Sequence, residues 1–345
     1  MRAYRYWGGK LLGLGEAPLP ALGGEGALVK LEACSICGTD VRTYRFGSGK
    51  ISPGRILGHE FVGIIQECAP GLPGGFHAGD RISMAPAIGC GECYSCKAGH
   101  TNMCDRLATV GFQYDGGFAE YLVIPRHAFT MGNVYKLPPA EDPVIFTLSE
   151  PLACVINAQS YLNIKRGEDV VIFGSGIIGC MHAELALAAG ASVAIVEPSL
   201  ARIRQVEGLL PGVRFIPQDK EGAVEEIAAR TGGKGADVAV IACSVGAAQA
   251  DGLRSLAKCG RISLFGGLPG EGTGFLDSNL VHYRELGVFG VHASTPDQNR
   301  AAMSLIRDGG FCAGKYLSQR YPLEEAEAAF REAAEGSVLK AVIVM

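Results

Sequence analysis

Four cysteines, Cys90, Cys93, Cys96 and Cys104, form a C-x2-C-x2-C-x7-C run. Thiolates this close can surround one tetrahedral zinc, at about 2.3 Å each. Four protein ligands leave no open position, so such a site would be structural. Iron–sulfur clusters also use sets of four cysteines, but the bacterial run ends in x3-C-P. Here the last gap is longer, and Asp105 follows Cys104. A zinc ribbon that binds nucleic acid is disfavoured, because Lys97, His100 and Arg106 are set against Glu92 and Asp105.

A second set is dispersed. Cys37 lies in Cys34-Ser35-Ile36-Cys37-Gly38-Thr39-Asp40, and Gly58 precedes His59 and Glu60. Glu150 opens Glu150-Pro151-Leu152-Ala153-Cys154. Each residue alone has an ordinary structural use: a packed thiol, a satisfied imidazole, a carboxylate at a turn. Together, thiolate, imidazole and carboxylate suit a catalytic zinc that keeps one position open.

A third set is a glycine loop, Gly174-Ser175-Gly176-Ile177-Ile178-Gly179. The first glycine permits the tight turn, and the second lets backbone approach a pyrophosphate. The third lets helix pack on strand, while the helix N-terminus faces the phosphates. Glu197 follows 18 residues after Gly179, close to the expected spacing of about 20. A carboxylate there hydrogen-bonds a ribose 2′-hydroxyl and repels a 2′-phosphate, which favours NAD over NADP. Arg202 pulls the other way, since an arginine can accept a 2′-phosphate.

These sets need elements to position them. The 345 residues suggest about two domains. The first 150 residues hold short apolar runs bounded by glycine and proline: 27–32, 61–66, 81–84 and 119–124. They read as strands. Prolines between Pro18 and Pro86 argue against long helices there. From about Pro151 the pattern alternates. Strands are expected at 169–173, 192–196, 213–216, 237–242, 261–265 and 286–289, and helices at 177–189, 200–210, 221–230 and 246–257. Continuous Val/Ile runs fit strands buried on both faces, and alternating βα units imply a doubly wound parallel sheet. Helices at 297–307 and 323–334 and a strand at 338–344 close the chain.

Hydrophobic residues make up 48% and charged residues 19%, a globular balance. A net charge of −4 gives no reason to expect nucleic acid or an anionic membrane as partner. The N-terminus lacks a signal-peptide pattern, and no long uncharged apolar stretch occurs, so a soluble cytoplasmic protein is expected. In that setting, twelve cysteines point to metal rather than disulfides.

The three sets together resemble the zinc-containing medium-chain alcohol dehydrogenase/reductase family, over essentially the whole chain. The Glu150–Cys154 segment resembles the sorbitol (L-iditol) dehydrogenase branch. Gly116-Gly117-Phe118-Ala119-Glu120-Tyr121 and the Gly58-His59-Glu60 turn also match. The resemblance implies an α/β fold: a GroES-like β-rich catalytic domain with an inserted Rossmann doubly wound parallel sheet. Residues 1–152 and 292–345 would form the former, with a structural zinc lobe at about 88–106, and residues 153–291 the latter. The active site would lie in the cleft between them. Two zincs per subunit and NAD are implied, in a homo-dimer or homo-tetramer.

By this similarity Cys37 and His59 are zinc ligands. Glu60 ranks first as the third ligand, with Glu150 next to the metal or its water. Thr39 is placed to accept the substrate hydroxyl and pass its proton on. Gly290, Val291 and His292 fall where backbone meets the nicotinamide carboxamide. Many relatives carry a histidine three residues after Thr39, as the outer end of a proton relay. This chain has Arg42, which cannot deprotonate at working pH.

The expected reaction is oxidation of a secondary alcohol in a polyol or sugar-derived compound to a ketone, with hydride passing to NAD. L-Threonine 3-dehydrogenase and polyol-phosphate dehydrogenase share the motifs, and Arg42, Arg45 and Lys50 could attract a phosphate. A catalytically silent dinucleotide-binding redox sensor is the alternative outside enzymes. The intact Cys37, His59, Glu60 and Glu150 set argues against it.

Overall fold

The computed structural model describes residues 1–23, 26–217, 222–268 and 276–345. The chain divides into two compact units. One joins Met1–Cys154 to Ala293–Met345, and the other is Val155–His292.

The first unit is built on a mixed sheet. Its strands run, edge to edge, Val134–Lys136, Arg81–Met84, Glu60–Cys68, Ala27–Ser35, Ala341–Val344 and Gln319–Pro322, and Tyr121–Ile124 also pairs with Ala27–Ser35. Along Ala27–Ser35 the side chains of Ala27, Val29 and Leu31 are buried, while Lys30 is exposed. That alternation is what a strand with one packed face requires. The buried residues join Phe61, Ile65, Phe118 and Phe330 in one core. Burying each large apolar side chain contributes roughly 1.5–3 kcal/mol.

Register in this sheet places chemistry. Ser35 stands opposite Glu60 on one side and opposite Val342 on the other. The end of the chain is thereby laid beside a residue of its first sixty. Gly58 turns the chain into Glu60 at φ +94°, and a Cβ there would lie 2.8 Å from Cys34 Sγ. Only glycine satisfies both conditions.

The second unit carries a six-stranded parallel sheet among the described residues, ordered Arg214–Ile216, Ser192–Val196, Asp169–Phe173, Ala236–Ile241, Leu256–Leu264, Gly287–Gly290. In chain order this is 3-2-1-4-5-6, so the order reverses beside Asp169–Phe173. Such a switch point opens a crevice at the carboxyl ends of the strands. Phe173, Val196, Ile241, Leu264 and Gly290 stand level in the ladder. Gly174, Glu197 and Val291 each follow one of them, so all three lie at the carboxyl end of the sheet.

Several elements differ from their sequence expectations. The helix expected at 246–257 ends at Arg254, because Leu256 already pairs with Ala236. The helix expected at 200–210 tightens after Val206 into a 3₁₀ turn. The helix expected from residue 221 runs Ala223–Arg230, and residue 221 lies outside the described residues. The terminal strand is shorter, Ala341–Val344. Helices Gly38–Phe46 and Ser149–Leu162, not expected from patterning, carry site residues. Among the described residues no helix is long and apolar enough to cross a membrane.

Candidate metal centre and dinucleotide loop

Cys37 is the N-cap of helix Gly38–Phe46, so its sulfur sits at the positive end of a helix dipole. His59 and Glu60 arrive from the neighbouring strand start. Ligand atoms of Cys37, His59 and Glu60 all lie within 4.8 Å of one another. Glu60 is buried and its Oε1 has no hydrogen-bond partner. An orphaned buried carboxylate oxygen is costly unless a cation completes it. Sulfur, imidazole nitrogen and carboxylate oxygen are donors that suit zinc. The residues present therefore fit the metal.

Other buried groups surround these three. Asp40 accepts a hydrogen bond from the Cys37 backbone N–H at 2.9 Å, and its Oδ1 lies 3.8 Å from His59 Nδ1. Burial pushes the Asp40 pKa up, against the pull of His59. Burial also opposes charge on His59, yet Cys37, Asp40 and Glu150 together raise its pKa well above the ordinary value. A metal held here would displace that proton. Glu60 Oε2 accepts from Ser35 Oγ and from Lys340 Nζ, the latter at 2.5 Å.

Glu150 comes from the first turn of helix Ser149–Leu162 and is buried. Burial, reinforced by the charge of Glu60, pushes its pKa up to about 7. One turn later the Cys154 thiol donates to Glu150 Oε1 at 3.4 Å, and it also lies 3.7 Å from Ser294 Oγ. Glu150 is not among the three groups that close within 4.8 Å. Thr39 is exposed in the first turn beyond Cys37, and Arg42 is exposed further along that helix. Phe112 stands beside the His59 ring, with centroids 5.9 Å apart.

The four cysteines of the run also converge, with sulfurs within 4.8 Å of one another. Backbone N–H groups point at the sulfurs: Cys93 to Cys90 at 3.4 Å, and Cys90 and Arg106 to Cys104 at 3.2 and 3.3 Å. Amides from Glu92 and Cys93 lower the Cys90 pKa to about 6, while burial raises that of Cys96 to about 12. N–H donors aimed at sulfur suit thiolates held by a cation. All four thiols are free of disulfide bonds.

In the second unit, Gly174 turns at φ +103°. Gly176 caps helix Ile177–Ala188, with Ile177 and Ile178 opening it. A Cβ on Gly179 would lie 1.9 Å from Gly174 O, so helix and loop touch through glycine. Glu197 closes the crevice from the next strand. Its Oε2 accepts from Ser175 N and Oγ at 3.0 and 2.9 Å, and its Oε1 from Ser199 N at 3.0 Å. Arg202 Nη1 would stand 3.9 Å from a Cβ on Gly176. A carboxylate and a guanidinium thus both border the loop.

The structure thus gathers Cys37, His59 and Glu60, with Glu150 beside them, and separately the four-cysteine run and the glycine loop. Ser35, Asp40, Cys154 and Lys340 border the candidate donor set, and Ser35, Cys154 and Lys340 carry no local spacing signal. Asp40 is the exception in kind: an acidic residue three positions into a helix reads as a cap.

Comparison with known proteins bears on this geometry. Residues 23–139 match the alcohol dehydrogenase GroES-like domain, and residues 178–308 match the zinc-binding dehydrogenase domain. An L-threonine 3-dehydrogenase of Pyrococcus horikoshii is 32% identical over 96% of this chain and 94% of its own length. A sorbitol dehydrogenase of Halalkalibacterium halodurans is 29% identical over 95% of this chain and 94% of its own. A zinc-binding dehydrogenase structure from Sinorhizobium meliloti, bound to NADP, superposes with a TM-score of 0.91 at 30% identity, covering 100% of this chain and 99% of that one. The fold is a GroES-like domain with a Rossmann sheet, and the chain belongs to the zinc-type medium-chain alcohol dehydrogenase family.

Proposed function

We propose that the protein is a zinc- and NAD-dependent dehydrogenase that oxidises a secondary alcohol of a polyol or sugar-derived compound to a ketone. The observation that carries this is the Cys37, His59 and Glu60 donor set within 4.8 Å, with Glu60 Oε1 left open. Cys90, Cys93, Cys96 and Cys104 would hold a second, structural zinc.

Zinc held by Cys37, His59 and Glu60 would supply Lewis-acid polarisation of the alcohol oxygen, and a bound nicotinamide would supply the hydride acceptor. The chain's residues do the rest. Thr39, in the exposed first turn after Cys37, accepts the substrate hydroxyl hydrogen bond and hands the proton outward. Arg42 takes no proton, so the relay leaves by another route, ribose hydroxyl to bulk water. Glu150, buried beside the metal ligands, would hold a water or a proton there. Gly174, Gly176 and Gly179 cradle the pyrophosphate, and Glu197 receives the ribose. Gly290, Val291 and His292 present backbone to the carboxamide. NAD is favoured by Glu197, although Arg202 leaves room for NADP.

Sorbitol dehydrogenase and L-threonine 3-dehydrogenase, named among the relatives, both act on compounds bearing a secondary hydroxyl beside a second polar group. A second donor on the neighbouring carbon suits a metal with an open position. The higher identity to the threonine enzyme supports L-threonine as the second substrate candidate. The test is zinc removal: chelator-treated protein should lose alcohol oxidation and regain it on zinc addition. Activity that survives complete zinc removal would overturn the proposal.

A further inference from the structure

Ser175 is the second residue of the glycine loop and is fully buried. Strand register sets its neighbour. Phe173 stands level with Val196, and the Gly174 N–H donates to Val196 O at 2.9 Å. Ser175 and Glu197 therefore leave the sheet side by side. Glu197 Oε2 accepts from both the N–H and the hydroxyl of Ser175, at 3.0 and 2.9 Å, and its Oε1 accepts from Ser199 N at 3.0 Å. Three donors hold one carboxylate, and hydrogen bonds to an ionised acceptor are the strong kind. Oε2 already takes two donors, so Oε1 keeps the lone pair open to a ribose hydroxyl.

A cation borders the same loop. Arg202 lies in the first turn of helix Leu200–Val206, where its N–H donates to the Ser199 hydroxyl, and its Nη1 would stand 3.9 Å from a Cβ on Gly176. Opposite charges beside one loop attract. Yet among the described residues no ion pair joins Arg202 to Glu197, which is committed to Ser175 and Ser199 instead. The two side chains ask for different ligands. A fixed carboxylate accepts from a ribose 2′-hydroxyl and repels a 2′-phosphate, whereas a guanidinium receives the phosphate. A carboxylate paired with Arg202 would blunt that discrimination.

We infer that Ser175 is a positioning residue that sets the choice between the two dinucleotides: its hydroxyl keeps Glu197 on the loop and out of an ion pair with Arg202, so that the carboxylate selects the unphosphorylated ribose. The inference rests on the dinucleotide reading of the glycine loop proposed above. It is independent of the zinc and of the alcohol, because every residue involved lies in the second unit. Without the hydroxyl, Glu197 keeps only backbone donors, and Arg202 competes for it. Selectivity then falls, while the turn built on Gly174, Gly176 and Gly179 stays. A hydroxyl that merely fills the loop predicts something else, namely equal loss of both dinucleotides.

The test titrates the zinc-replete full chain with NADH and with NADPH separately, each followed by its own fluorescence. Wild type is expected to bind NADH more tightly. Ser175→Ala should lower the preference for NADH over NADPH about tenfold, as loss of one hydrogen bond to a charged group implies, with NADPH affinity held or improved. In an Arg202→Ala background the same substitution should leave the preference nearly unchanged, because the competing cation is gone. Folding is checked by circular dichroism, and Ser175→Gly carries the test if Ser175→Ala does not fold. Equal weakening of both dinucleotides, an unchanged preference, a wild-type preference for NADPH, or the same shift in the Arg202→Ala background would overturn the inference and leave the dinucleotide reading standing. A wild type that binds neither NADH nor NADPH would overturn both.

Discussion

Asp40 Oδ1 lies 3.8 Å from His59 Nδ1, and both groups are buried. The same carboxylate accepts the Cys37 backbone N–H at 2.9 Å. One side chain thus touches two proposed ligands: it hydrogen-bonds the backbone of one and lies within charge contact, not hydrogen-bond distance, of the ring of the other. A carboxylate this near favours positive charge on the ring, and drawn in to hydrogen-bond distance it would orient a metal-bound imidazole. Asp40→Asn should weaken zinc binding by about 10–100-fold. Zinc content after dialysis against a graded chelator checks this, and wild-type retention would contradict it.

Cys37→Ser and His59→Ala should abolish turnover while NADH still binds, because the glycine loop and the metal donors belong to different units. Fluorescence titration with NADH, run beside the turnover assay, separates the two functions. Wild-type-like turnover in either variant would remove these residues from the metal site.

The four-cysteine run should behave as a structural staple. Cys93→Ser removes one sulfur from a cluster whose members all lie within 4.8 Å. Metal content should fall by about one zinc per chain, with a lower melting temperature, since structural zinc contributes folding energy directly. Unaltered melting would argue that the cluster holds nothing.

Gly179→Ala places a Cβ at 1.9 Å from Gly174 O, a contact that no rotamer relieves. Helix and loop must part, at a cost of roughly 1–3 kcal/mol. NADH affinity should drop well before metal content changes. Calorimetric binding curves that match wild type would show that the loop does not seat the cofactor.

His182, in the second unit, supplies a pH test. It is fully buried, and desolvation lowers its pKa from 6.5 to about 3. The unfolded chain takes up a proton as pH falls through 6.5, while the folded chain stays neutral at this ring. Stability from this residue is thus present above pH 6.5 and declines on acidification, by about 1.4 kcal/mol per pH unit. His182→Gln should flatten the unfolding profile between about pH 6 and pH 4. A slope equal to wild type would place the burial elsewhere.

Legibility in the sequence followed distance along the chain. The glycine loop and the cysteine run are local, so spacing alone exposed them, and the strand Asp169–Phe173 was evident from its unbroken apolar run. Cys37, His59 and Glu60 needed a family resemblance, because nothing local ties a helix cap to a strand start. Lys340 is 280 residues from Glu60. Only the pairing of the terminal strand with Ala27–Ser35 brings it in, and nothing local in the sequence announces that pairing. The helix Gly38–Phe46 was hidden among proline-rich turns, yet it sets Cys37, Thr39 and Asp40 together.

The most direct test is NAD reduction by the zinc-replete protein across a panel of alcohols. Sorbitol, xylitol, L-iditol, inositols, galactitol 1-phosphate, L-threonine and simple secondary alcohols would each be offered with NAD and with NADP. The account predicts chelator-sensitive NADH formation with one or more unphosphorylated polyols, absent in Cys37→Ser. Turnover of L-threonine alone would retain the zinc chemistry and replace the substrate class. Silence across the panel, with both zincs shown to be bound, would contradict the polyol dehydrogenase proposed here.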